Sequence, residues 1–219
     1  MSSALIQILV LLVIAVFLLL RFRSVLGTRE GFEKPPEKTS DSKRDGRPEL
    51  EVIEGGPDRD ITDHVADGSD SAHALGAMKL IEPGFSVAEF MDGARSAYEM
   101  ILMAFERGEI DEIHMLLDEE VYQTFVDAVG AREDQGLTVE ADFVGLREIE
   151  LREAEFDRDS QQADITVRIV AELTSVVKNG EGEIVEGSPT EIKRQKDVWT
   201  FSRKMGADDP NWKLVATGE

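Results

Sequence analysis

No cysteine occurs in the 219 residues, and there are only three histidines. The missing thiols exclude a disulfide framework, a cysteine-held zinc site and a thiolate nucleophile, and they agree with a reducing compartment. The histidines do not gather. His64 and His73 fall in a stretch without apolar periodicity, and His114 stands alone beside Met115 and Leu116, which reads as a packed or surface histidine rather than a ligand or base. H-E-x-x-H, G-x-S-x-G, G-x-x-x-x-G-K-[ST] and G-x-G-x-x-G are all absent. We therefore expect no metal, no cofactor and no enzymatic activity. Positive charge is scarce as well: 24 basic side chains face 45 acidic ones, a net charge of -21. A nucleic-acid partner needs a cationic footprint to release counterions, and no basic stripe with interleaved aromatics exists. Carboxylate groups such as Asp118-Glu119-Glu120 and Asp157 with Asp159 read, in so acidic a chain, as solvated helix starts and turns.

Against these absences stands one long apolar run, Ala4 to Leu20, uncharged and interrupted only by Gln7, with Arg21, Arg23 and Arg29 after it. At about 1.5 Å per residue it covers roughly 25 Å, close to a hydrocarbon core of ~30 Å, and Met1 to Ser3 and Phe22 can extend it. A cleaved signal would need a basic n-region and an A-x-A site, and Arg21-Phe22-Arg23-Ser24 supplies neither. The expectation is an uncleaved transmembrane anchor, residues 1–26. Its three arginines lie at the membrane interface and place the rest of the chain in the cytoplasm by the positive-inside rule. The location expected is a bacterial inner membrane, crossed once, since no Arg-rich, acid-poor presequence precedes the anchor.

Residues 27–77 are rich in Pro, Gly, Ser, Asp and Lys, with Pro35-Pro36, Pro48 and Gly55-Gly56-Pro57 as breakers, and read as an acidic flexible linker. Residues 78–219 are long enough for one domain. Its first half has helical period. Ser86 and Glu89 form a capping box after Pro83-Gly84, with Phe85 and Phe90 as a hydrophobic staple. Phe90, Ala94, Ala97, Tyr98, Ile101 and Phe105 make one apolar stripe ending at Gly108. A short helix holds Ile110, Ile113 and Leu116, and a third, capped by Asp118, carries Val121, Tyr122, Phe125 and Val129. The second half changes to period two. Ile149 and Leu151, then Ile165 to Leu173, Ile192 to Ser202 and Trp212 to Ala216 read as strands, with a turn at Asn179-Gly180. Helices followed by strands define an α+β domain, helices packed on a curved antiparallel sheet.

Five segments carry a family resemblance. Gly93-Ala94-Arg95-Ser96-Ala97-Tyr98-Glu99, Ala104-Phe105-Glu106-Arg107-Gly108-Glu109 and Leu116 to Phe125 precede Asp197-Val198-Trp199-Thr200-Phe201-Ser202-Arg203 and Asp209-Pro210-Asn211-Trp212-Lys213-Leu214. In this order they resemble the C-terminal domain of the Tim-forty-four-like family, over roughly Glu82 to Thr217. The family includes a peripheral subunit of the mitochondrial inner-membrane presequence translocase and shorter, membrane-anchored bacterial relatives, and this chain looks like the second kind. The resemblance implies a cone-shaped domain of the nuclear-transport-factor-like class with a hydrophobic pocket. It also implies contact with lipid, cardiolipin in particular, which the negative balance of the body opposes. The chaperone recruitment known for the mitochondrial member has no counterpart in residues 27–77.

Tyr98, Tyr122, Trp199, Phe201 and Trp212 are the candidate pocket or ligand residues. Trp199 and Phe201 share a strand face and read first as core, second as pocket lining. Asp209-Pro210-Asn211 reads as a turn, and Arg203 as the partner of an acidic neighbour across the sheet. Tyr98, Tyr122 and Asp142 are the residues an enzyme of this fold class would use. The function expected is that of a membrane-tethered adaptor or scaffold with a membrane-protein partner. The alternative is a pocket protein for a lipid or small apolar ligand.

Overall fold

A computed structural model of the chain describes residues 56–218. The expected anchor, Arg21, Arg23 and Arg29, and the linker as far as Gly55 lie outside the described residues. Among the described residues, no helix is long and apolar enough to cross a membrane.

Helices come first. α1 is Arg59–Thr62, α2 Asp70–Ile81 and α3 Val87–Arg107; a 3-10 helix follows at Ile110–Leu116 and α4 at Glu119–Asp134. The caps explain the boundaries. Ser69, Ser86 and Asp118 each accept a backbone N–H of the first turn that they precede, which satisfies a donor the helix cannot use. Gly108 ends α3 in the left-handed conformation, at φ 78°, and its N–H reaches back to the carbonyls of the last turn.

Four strands then form one antiparallel sheet in chain order: β1 Thr138–Asp157, β2 Gln162–Lys178, β3 Ile184–Lys204 and β4 Lys213–Gly218. β2 has neighbours on both sides, and its row Ile165, Val167, Ile169 and Ala171 is fully buried. That row shares a core with Leu75 and Met78 of α2 and Val87, Tyr98 and Ile101 of α3. β1 carries register shifts at Phe143/Gly145, Leu146/Glu148 and Leu151/Glu153. Each extra residue bends the strand, so β1 curves instead of running flat. Gly187 of β3, at φ 79°, lies between two register shifts of the β2–β3 pair, and a Cβ there would collide with the Ser175 carbonyl.

The α+β order and the antiparallel sheet are as expected, and three boundaries differ. The body starts before Met78: α1 and α2 belong to it, with Ile61, Leu75 and Met78 buried. Their apolar spacing is helical but is diluted by Asp, Ser and Gly, so the composition resembles a linker. β1 begins at Thr138, well before Ile149, because its bulges break the alternation that marks a strand. β3 begins at Ile184 rather than Ile192, since Gly187 and Pro189 look like loop residues.

Candidate functional site

The start of α3 builds one wall of a groove. With Ser86 as cap, Phe85 and Phe90 occupy the staple positions, and both close on Trp212, with ring centroids 6.0 and 4.8 Å apart. Trp212 is placed by the turn before it, where the Asp209 carboxylate accepts the backbone N–H of Asn211 at 3.0 Å and its side-chain amide at 2.8 Å. Phe201 of β3 meets Phe90 edge-on at 6.2 Å. Met100 of α3 and Leu116 of the 3-10 helix extend the apolar lining, and the space enclosed is about 490 Å³. Met100 is half exposed, so an unbranched, polarisable side chain stands at the opening.

The other end of the groove is ionic. Arg203 donates to Glu82 at 2.7 Å and to the Pro210 carbonyl at 3.1 Å, and its guanidinium lies 5.3 Å from the Trp212 ring centroid. Its Nε is buried and has no hydrogen-bond partner among the described residues. Glu82 also accepts the Gly206 N–H at 3.3 Å. The bond from Arg203, helped by Gly206 and opposed by burial, holds the Glu82 carboxyl below its ordinary range. The pair is therefore charged at neutral pH. Arg203 thus finds its partner at the end of α2 and not across the sheet, a correction to the expectation: its side chain lies against the helix end, not along the strand ladder. Glu89 adds a second carboxylate to the lining. From Asp58 to Gly136 the basic side chains are Arg59, Lys79, Arg95, Arg107 and Arg132 alone, so the helical side around the groove is strongly acidic.

The expected site residues separate. Phe201 and Trp212 line the groove. Trp199 is packed in the core, 4.6 Å from the ring of Tyr98. Tyr98 is fully buried and donates from its hydroxyl to Asp197 Oδ2 at 2.6 Å, while Gln195 donates to Oδ1 at 3.3 Å. Burial first, then the Asp197 carboxylate, push the Tyr98 phenol far above its ordinary range, so it remains a donor. Tyr122 stands away from the groove, donating to Asp111 at 2.8 Å and lying against His114 at 4.2 Å between ring centroids. Asp142 is exposed on β1. Glu82 and Met100 were not singled out from the sequence, and Glu89 was read only as part of the capping box. The nearest signal was the staple itself, which fixed Phe85 and Phe90 as neighbours without naming the surface they share.

Fold and groove together define a small α+β domain with an aromatic-floored cleft open to solvent. The Tim44-like domain model matches residues 71–219, more than half of the chain, and the chain belongs to the Tim44-like domain family. The human mitochondrial import inner membrane translocase subunit TIM44 is 23% identical over 167 residues, a match that takes in 72% of this chain and 36% of that protein. Among solved structures, the intermembrane space region of the chloroplast protein ARC6 overlays with a TM-score of 0.40 at 11% identity, covering 58% of this chain and 94% of that one. The domain thus relates the chain to translocase subunits.

Proposed function

We propose that the chain is a non-enzymatic adaptor of the bacterial inner membrane, tethered by Ala4 to Leu20, that offers its domain to membrane proteins on the cytoplasmic side. The domain is taken as a member of the nuclear-transport-factor-like class. One observation carries the reading: the groove of Phe85, Phe90, Phe201 and Trp212 is apolar, lined at its mouth by Met100 and open to solvent. A partly open cleft with a buried aromatic floor and polar ends is the form contact sites take, and an adaptable methionine at its mouth suits recognition of varied apolar surfaces. A tether makes weak contacts sufficient, because it raises the local concentration of the domain around its membrane neighbours. A photoreactive side chain at Met100 of the full chain, illuminated in native membranes, tests this. Reproducible protein adducts that vanish on Trp212→Ala are expected; adducts with lipid only would defeat the adaptor reading.

The second reading, a pocket for an apolar small molecule or lipid tail, rests on the volume of about 490 Å³, which lies within the usual size of ligand sites. Native mass spectrometry distinguishes it. A retained small molecule that is lost on Trp212→Ala favours the pocket, and an empty protein favours the adaptor.

A further inference from the structure

Among the described residues, α1 is clasped to the wall of the groove. The Asp60 carboxylate accepts from the backbone N–H groups of Val87 at 2.8 Å and Ala88 at 2.9 Å and from the Ser86 hydroxyl at 3.1 Å. It therefore caps α3 from another element, alongside the helix's own Ser86. Lys79 of α2 lies 2.7 Å from Asp60 and 2.6 Å from Asp58, so α1, α2 and α3 converge on a single charge. Ile61, one residue on, is buried in the core and holds α1 down.

The residues this clasp fixes are those that shape the groove. Phe85 immediately precedes Ser86, and Phe90 lies one turn after the amides that Asp60 holds. Both rings rest on Trp212. Glu82, which anchors Arg203 at the other end, ends the helix that supplies Lys79. A shift of α1 thus acts on both the aromatic wall and the ionic end. Asp58 and Asp60 precede residue 71, where the family match begins, while Lys79 and the start of α3 lie within it.

We propose that α1 is a strap that sets the open width of the groove: seated, Asp60 holds the start of α3 against Trp212, and released, it lets that wall move. As a statement about function this rests on the groove being the contact surface; as a statement about conformation it does not.

The test uses the full chain in detergent with both tryptophans replaced by 5-fluorotryptophan, which gives two fluorine signals, assigned with Trp212→Phe. Asp60→Ala is expected to shift the Trp212 signal and to raise amide exchange at Val87 and Ala88 about tenfold, leaving Trp199 and the β2 amides unchanged. Asp58→Asn, which keeps the oxygen that caps the Asp60 N–H and removes only the charge facing Lys79, should leave the Trp212 signal in place. A fixed Trp212 signal despite faster exchange at Val87 and Ala88 would overturn the proposal. So would equal changes at Trp199 and in β2, which would make α1 a general stabiliser. Should Asp60→Ala not fold, Asp60→Asn keeps one acceptor oxygen and must give a smaller shift of the same sign; no shift in that folded variant overturns the strap. Loss of coupling with Met100 adducts retained refutes the strap alone, and coupling without protein adducts refutes the adaptor reading alone.

Discussion

Tyr98 and Asp197 show what a single buried contact is worth here. The phenol is fully enclosed beside Trp199 and Phe143, and its 2.6 Å bond supports a carboxylate that is itself almost wholly covered. Removing one partner of such a bond strands the other, so Tyr98→Phe should lower stability by ~1–3 kcal/mol. The urea midpoint measures this, and an unchanged midpoint would mean that Gln195 alone satisfies Asp197. Two further carboxylates respond to acid. Burial raises the Asp60 pKa, but Lys79, the Ala88 and Val87 amides and the Ser86 hydroxyl outweigh it, and Asp60, like Glu82, ends below its ordinary value. A depressed carboxylate adds stability above its unfolded value and loses it as pH falls toward the folded one. Since the ordinary values are 3.8 and 4.5, the loss should set in below about pH 4.5. A urea series from pH 6 to pH 3 should show a shallower fall for the Glu82→Gln, Asp60→Asn double variant than for the native chain.

At the scale of elements, Gly187 is the most exposed to test. Its positive φ and the Ser175 carbonyl beside it leave no room for a side chain, so Gly187→Ala must shift the β2–β3 pairing around Val176. The expected result is faster amide exchange from Ser175 to Lys178 and a stability loss of ~1–3 kcal/mol, with the Ile165–Leu173 stretch of β2 still protected. The elements legible in the sequence were those with an unbroken period: α3 with its cap and staple, α4 behind Asp118, and the Ile165–Leu173 row. Elements with interrupted periods were not. β1 loses its alternation at three bulges, and α2 hides Leu75 and Met78 among residues that favour loops. The site divided along the same line. Phe201 and Trp212 could be named because short motifs carry them, whereas Glu82 and Met100 become neighbours of Trp212 only through packing that no local pattern encodes.

For the molecule as a whole, the earlier start of the body has a direct consequence. A chain beginning at Met78 lacks α1 and most of α2, including the buried Ile61 and Leu75, and uncovers part of β1, against which α2 packs. Losing these side chains costs about 2 to 5 kcal/mol for each large aliphatic group, a large part of the stability of a small domain. Expressed from Gly56 the domain should give a cooperative thermal transition; expressed from Met78 it should aggregate or melt without one. Comparable transitions would put the boundary back at Met78.

The bends in β1 bear on how neighbouring copies treat one another. A straight edge strand offers its free N–H and C=O groups as a template on which a second chain can pair. β1 is the outer strand of the sheet, and its three register shifts interrupt that row of groups at Phe143, Leu146 and Leu151. A second chain laid along β1 therefore meets a broken row on which no long ladder can grow, whatever it finds at the other edge of the sheet.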